Sequence, residues 1–452
     1  MKDLTQGSIP RHILAMAMPV AAGMLLQTLY YLIDLYFVSR LGDAAIAGVS
    51  AAGNIYFAIF ALTQMLGVGT TTLVSHAVGR KDRGEANHVF NQSVSLALLL
   101  TAITVAGGCA LTGPYMRLIG ADEPTAQAGA TYLYWFLPGL ALQFALVVMG
   151  SALRGTGIVK PTMLVQALTV ILNAVLAPVL IAGWGTGHPM GVAGAGLASS
   201  IAIGVGVVML AFYFVRLETY VAFDPKAWRP DLRTWGRMLN IGLPAGGEFA
   251  LMALYMGIIY WVIRTFGAAA QAGFGIGSRV MQAVFLPVMA IAFAAAPIAG
   301  QNFGAGKAHR VRETFRSAAV WGISSMAVIA FVTQWKAEWM ARLFTDDAAV
   351  IAVCVQFLHF ISWNFVSGGF VFICSSLFQA LGNTWPSLFS TAMRLVTFAV
   401  PAIWLSSQPG FEIVQVWYLS VATVLLQAVV SYLLLQAQFR KRLPALAAQP
   451  TA

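Results

Sequence analysis

Charge is scarce in this chain. Asp, Glu, Lys and Arg make up 9% of its 452 residues, against roughly 25% in soluble domains. A soluble core of this size would need far more charged surface to cover it. Cysteine is scarcer still. Cys109, Cys354 and Cys374 sit inside apolar runs without metal-type spacing, which excludes a disulfide framework and a zinc site. His76, His88 and His359 stand singly. No His–Glu–His cluster, Ser/His pairing or GxGxxG loop occurs in a suitable context, so no catalytic residue, metal ligand or bound cofactor is expected, and no enzyme. The short alternating segments of a membrane barrel are missing too.

Long apolar runs are what the chain has instead. Hydrophobic residues are 59% of the sequence, mean hydropathy is +0.78, and apolar stretches of about 20 residues recur along nearly the whole length. Twelve spans are predicted, at about 13–38, 46–74, 89–111, 126–150, 162–182, 192–215, 238–263, 271–299, 317–335, 350–377, 388–406 and 413–437. The fold class expected is an all-α polytopic membrane protein. The net charge of +10 falls between spans, which argues against nucleic acid as a partner and for a lipid bilayer. Most Lys and Arg lie on one side. Arg40, Arg117, Arg264, Lys336 and Arg342 fall on the other, and Arg279 and Arg394 lie inside spans. The positive-inside rule then puts both termini in the cytoplasm and the chain in the cell (inner) membrane. The polar start MKDLTQGSIP and a long first span do not read as a removable signal peptide.

The acidic residues are more selective. Most of the 16 carboxylates belong to loops, span ends or termini; only Asp34 and Glu248 lie well within a span. An aspartate at a helix centre costs roughly 3 kcal/mol on insertion, so it normally faces protein or a wet cavity and marks a functional site. In the first helix Gln27, Tyr30, Tyr31 and Asp34 recur at helical spacing, a polar stripe lining a cavity. Glu248 follows Pro244 by one turn in GLPAGGEFALMALY. It either binds substrate charge, serves as a second proton site, or caps a kinked helix.

The chain repeats itself. A shift of 225 residues brings Pro19 onto Pro244, Tyr30 onto Tyr255, Gly42 onto Gly267, Gly48 onto Gly273, Arg117 onto Arg342, Asp122 onto Asp347 and Pro161 onto Pro386. Each half has six spans, an even number. The halves therefore point the same way, as two six-helix bundles related by a pseudo-twofold axis along the membrane normal. The division expected is an N-terminal lobe over 1–215, a charged cytoplasmic linker over 216–237, and a C-terminal lobe over 238–452. The repeat is broken where chemistry is expected: Asp34 pairs with Ile259, Glu248 with Gly23, and Asn173 with Phe398.

These residues resemble the multidrug and toxic compound extrusion (MATE) family over essentially the whole length. The marks are PVAAGMLLQTLYYLIDLYFVSRLG, AVGRKDRGEA, SALRGTG with Lys160-Pro161, GIGSRVMQAVFLP and PIAGQNFGAGKAHRVRE. The resemblance implies a twelve-helix antiporter that exports small organic, often cationic compounds from the cytoplasm against entering protons or sodium ions, with no cofactor. Carried over, Asp34 matches the family's coupling carboxylate and Asn173 the fifth-helix asparagine; Tyr132 and Ser199 match a tyrosine of helix four and a hydroxyl of helix six. Gln27, Tyr30, Tyr31 and Glu248 are read as contacting substrate. The pattern favours the DinF-like branch, with one departure: that branch has an aspartate where this chain has Ala177. A sodium site would lose a charged oxygen ligand there, which favours H+ over Na+. A monomer is expected. The alternative reading is a flippase for lipid-linked oligosaccharides of the same superfamily.

Overall fold

The computed structural model describes residues 1–120, 122–218 and 220–443, apart from the side chains of Tyr31 and Leu35. The first half contains α1 (Ile9–Ser39), α2 (Asp43–Gly79), α3 (Arg83–Ile119), α4 (Glu123–Gly155), α5 (Lys160–Ala182) and α6 (Val192–Arg216). The second contains α7 (Leu232–Ile263), α8 (Ala268–Gly304), α9 (Ala308–Arg342), α10 (Ala348–Ile361), α11 (Trp363–Ala380), α12 (Trp385–Ser406) and α13 (Ile413–Arg442). Strands are absent among the described residues. Among the described residues eleven helices are long and apolar enough to cross a membrane, and α10 with α11, bent by 55° at their junction, makes twelve when taken as one broken span. The run 350–377, expected as one helix, is thus broken at Ser362.

The 225-residue repeat reappears as geometry. Gly42 and Gly267 cap α2 and α8 with φ of 105° and 88°, a region that favours glycine. Asp122 and Asp347 cap α4 and α10, accepting from Thr125 N and Ala349 N. Gly48 and Gly273 bring helices into close contact. A Cβ on Gly48 would lie 2.6 Å from Gly129 N, and one on Gly273 would lie 2.8 Å from Val353 Cβ. Without side chains at these points, α2 packs on α4 and α8 on α10.

One local difference between the halves is the bend. In α4, Pro138 removes a donor, and the Ser200 hydroxyl of α6 accepts from Gly139 N and donates to Trp135 O. That insertion keeps the freed backbone groups satisfied and α4 continuous. At the matching point of the second half the helix breaks instead.

By contacts the chain divides into two compact units. Unit 1 comprises Met1–Asp3 and Ala22–Gly242, and unit 2 comprises Leu4–Ala21 and everything from Leu243 onward. Two stretches fall elsewhere than the division at 216–237 puts them. The segment entering α1 packs within unit 2: Leu4 N donates to Gln301 Oε1, Asn302 Nδ2 to Leu4 O, and Arg310 to Gly7 O. The segment before α7 is hydrogen-bonded along α3 within unit 1. Asn91 Oδ1 accepts from Asp224 N and the Trp228 indole, while Gln92 Nε2 donates to Ala227 O and Arg229 O. These bonds satisfy backbone in and around a short 3-10 turn at Pro225–Trp228.

Candidate functional site

The polar residues of the first helix converge with three other helices inside unit 1. Asp34 is 7% exposed, and the Tyr132 hydroxyl of α4 donates to its carboxylate. Tyr30, one turn earlier on α1, turns its hydroxyl towards Asp34 and Ser199 of α6. Asn173 of α5, fully buried, donates to Ser199 Oγ at 3.5 Å. Asn173 therefore joins the group through Ser199 rather than by a direct bond to Asp34. Asp34 and Tyr30 share a face because their spacing is one helical turn.

Three oxygens in this cluster are buried without a hydrogen-bond partner: Asp34 Oδ1, Asn173 Oδ1 and Tyr30 Oη. Such atoms are costly unless something else satisfies them. Two are acceptors only, so the arrangement suits a proton or a small cation. Ala177, fully buried, belongs to the apolar cluster that holds Tyr132, Leu133 and Phe136, so no second carboxylate reaches the site from that position. Among the described residues no group of three or more His, Cys, Asp or Glu could hold a metal ion.

The repeat supplies an internal control. The positions matching Asp34, Tyr132 and Asn173 are Ile259, Phe357 and Phe398, all buried. The scaffold thus closes this region with apolar side chains when nothing else is asked of it. A tyrosine faces a serine here in both halves, but only in unit 2 are they hydrogen-bonded: the hydroxyls of Tyr255 and Ser420 lie 2.9 Å apart, whereas Tyr30 Oη is left without a partner.

Gln27 donates to the Tyr56 hydroxyl at 3.5 Å, and Tyr56 stacks on Phe136, which in turn contacts Tyr132. Gln27 and Tyr30 are therefore continuous with the Asp34 cluster. The side chain of Tyr31 lies outside the described residues. Tyr56 and Phe136 were not singled out from sequence, since an aromatic in an apolar run carries no signal of which neighbour it meets.

Glu248 belongs to α7 in unit 2. It is half-buried, and the Ser375 hydroxyl of α11 donates to its carboxylate at 3.2 Å. The Ser387 hydroxyl of α12 is in reach of the same carboxylate and donates to Ser375. Ser390 and Ser431 extend the line of hydroxyls to α13, 3.0 Å apart. In unit 1 the matching α1 position is Gly23, where a Cβ would collide with the Gln166 amide oxygen of α5. The glycine leaves room for an amide where unit 2 places a carboxylate.

The MatE family matches residues 19–179 and again 244–405, starting at the two prolines that the repeat pairs. The chain is 25% identical to a FAD transporter of Shewanella oneidensis, over 90% of this chain and 91% of that one. It is 26% identical to the probable multidrug resistance protein YpnP of Bacillus subtilis, over 92% of this chain and 90% of that one. A solved outward-facing multidrug resistance MATE family transporter of the MOP superfamily superimposes with a TM-score of 0.90 at 26% identity, covering 99% of each chain.

Proposed function

Because the chain belongs to the MatE family, whose members are membrane transporters and not enzymes, we propose that it is a secondary active antiporter. In this reading it exports small organic compounds, chiefly amphipathic cations, from the cytoplasm of the cell in exchange for protons. The observation that carries the reading is Asp34: a buried carboxylate with one unpartnered oxygen, in the half of a duplicated scaffold whose other half has isoleucine there.

A desolvated carboxylate in a membrane protein is stabilised by taking up either a proton or a cation. When Asp34 is charged, its field and the aromatic faces of Tyr30, Tyr56 and Phe136 favour a cationic guest. When it takes a proton from outside, that attraction is lost and the guest leaves outward. Proton release to the cytoplasm resets the site. Asn173 and Ser199 hold the polar partners that Tyr30 and Asp34 exchange, so they position rather than carry the ion. Glu248, with Ser375 and Ser387, is a second proton-carrying group. A sodium ion would need a set of hard oxygen ligands; with Ala177 in the apolar cluster, a proton is the better fit. Both termini lie in the cytoplasm, as the excess of Lys and Arg on that side implies.

The name of the Shewanella relative favours a second reading, in which the substrate is an anionic aromatic dinucleotide. The buried carboxylate Asp34 within a span of unit 1 weighs against it. Reconstitution into lipid vesicles decides the matter: impose a pH gradient or a sodium gradient separately, and follow ethidium and FAD in parallel. Ethidium efflux driven by the pH gradient alone is the expected result; flux of FAD without ethidium would overturn it.

A further inference from the structure

Arg394 lies near the middle of α12, inside a membrane span. Its guanidinium rests over the Tyr255 ring, 4.3 Å from the centroid. Its Nε is buried and has no hydrogen-bond partner, and no ion pair among the described residues includes it. A cation held in a span by one aromatic face alone is expensive. Glu248 lies on the same seam between α7 and α12. Tyr255 is seven residues beyond Glu248, two turns up one face of α7, and Arg394 is seven beyond Ser387 on α12. Residues on a helix lean towards its N-terminus, so the long Arg394 side chain is directed down the seam, towards the Glu248 end.

The repeat sharpens this. In unit 1 the same seam, between α1 and α5, carries Gly23 facing Gln166. The counterparts of Gln166 and Thr169 are Thr391 and Arg394. Glu248 itself is held at the level of Ser387, so Arg394 stands two turns above it, about 10 Å along the axis. Unit 2 differs from unit 1 on this seam by gaining a carboxylate and an arginine together.

We propose that Arg394 is the internal counter-cation of Glu248: it rests on Tyr255 while Glu248 is protonated and swings down to pair with the carboxylate once the proton has left. This rests on the reading of Glu248 as a proton-carrying group. The groups that face Glu248 are Ser375 of α11 and Ser387 of α12. Arg394 meets Tyr255 of α7, and α13 meets this part of α12 with Gln427, which donates to Thr391, and Ser431. None of these is a competing charge. The pair would be neutral once the proton has left and carry one positive charge, on Arg394, while Glu248 is protonated; unit 2 never becomes net negative there, which reserves cation attraction for Asp34 in unit 1.

The test is a double-mutant cycle on the purified full-length protein, reading the thermal unfolding midpoint at acid and at alkaline pH. At alkaline pH, Arg394→Gln should lower the midpoint by several degrees, and most of that loss should disappear when it is combined with Glu248→Gln. At acid pH the single substitution should cost much less. Arg394→Lys, which keeps the charge, should retain part of the coupling and guards against a variant that merely packs badly. Additive losses, or the same coupling at both pH values, would overturn the proposal. Additive losses accompanied by abolished transport of carboxyfluorescein would assign Arg394 to an organic anion instead. Transport by Glu248→Gln under a pH gradient is read separately: undiminished coupling removes the proton-carrying role of Glu248, whereas the thermal cycle alone decides the pairing.

Discussion

Tyr132 donates a hydrogen bond to Asp34, and 225 residues further on the same two positions are Phe357 and Ile259, both buried. One backbone plan thus carries a polar pair in one unit and an apolar pair in the other. The difference is a measure of function, because the apolar version already shows what packing alone requires.

The first consequence concerns Asp34 itself. Asp34→Asn keeps the shape and leaves an oxygen for Tyr132, so the thermal midpoint should stay close to the parent's, within about 1 kcal/mol. Efflux driven by a pH gradient should fall to background. Undiminished gradient-driven efflux in reconstituted vesicles would remove Asp34 from the mechanism.

Tyr132→Phe imports the residue found in the other half. The ring contact with Phe136, at 5.4 Å between centroids, remains, so the fold should be unaffected. The lost bond to a charged group amounts to about 1.5 kcal/mol or more, which predicts a loss of coupled efflux of roughly tenfold. Initial rates against external pH in the same vesicles check this; an unchanged profile would separate Tyr132 from the coupling step.

Close helix approach gives a stability prediction. Gly48→Ala places a Cβ 2.6 Å from Gly129 N and 2.7 Å from Thr125 O, backbone atoms that cannot rotate away. The expected cost is about 1–3 kcal/mol. Gly53→Ala, on the same helix with nothing within 4 Å, should be neutral or stabilising by up to about 1 kcal/mol. Thermal unfolding of the two variants side by side separates packing from helix propensity.

The segment before α7 offers a pH test away from the membrane spans. Asp231 accepts from the Thr234 hydroxyl at 2.7 Å and bonds His88 at 3.0 Å, and these contacts hold its carboxyl well below the usual range. A carboxylate whose folded value is depressed adds stability above its unfolded value, near 3.9. That stability is lost as pH falls through the lower folded value. Asp231→Asn should therefore be less stable than the parent at neutral pH, with the gap closing only in strong acid. A gap that stays constant down to the lowest pH at which the parent folds would show that the bonds, not the charge, hold the segment.

Much of the architecture was legible because its causes are local. Gly42 and Gly267 recur because a positive φ is needed at each cap, and Asp122 and Asp347 because each α4-type helix needs an acceptor at its start. What failed to transfer along the 225-residue register did so for physical reasons. The connection before α6 is longer than that before α13, so α13 starts 221 residues after α6 and Ser199 is matched by Ser420. Loop length changes a register that helix packing then restores. The bend at Ser362 also eluded the sequence pattern, since hydropathy along 350–377 is continuous and says nothing of direction.

From the sequence by itself came the spans, the duplication and the rarity of Asp34 and Glu248, because hydropathy, glycine geometry and the cost of buried charge act on each residue where it stands. The choice of partner belonged to the tertiary structure alone. Which hydroxyl reaches Asp34, that Asn173 arrives through Ser199, that Ser375 and Ser387 cradle Glu248, and that Arg394 rests on Tyr255 all depend on contacts between helices far apart in the chain. Helical spacing sets the face a side chain points from, but only packing decides what it meets.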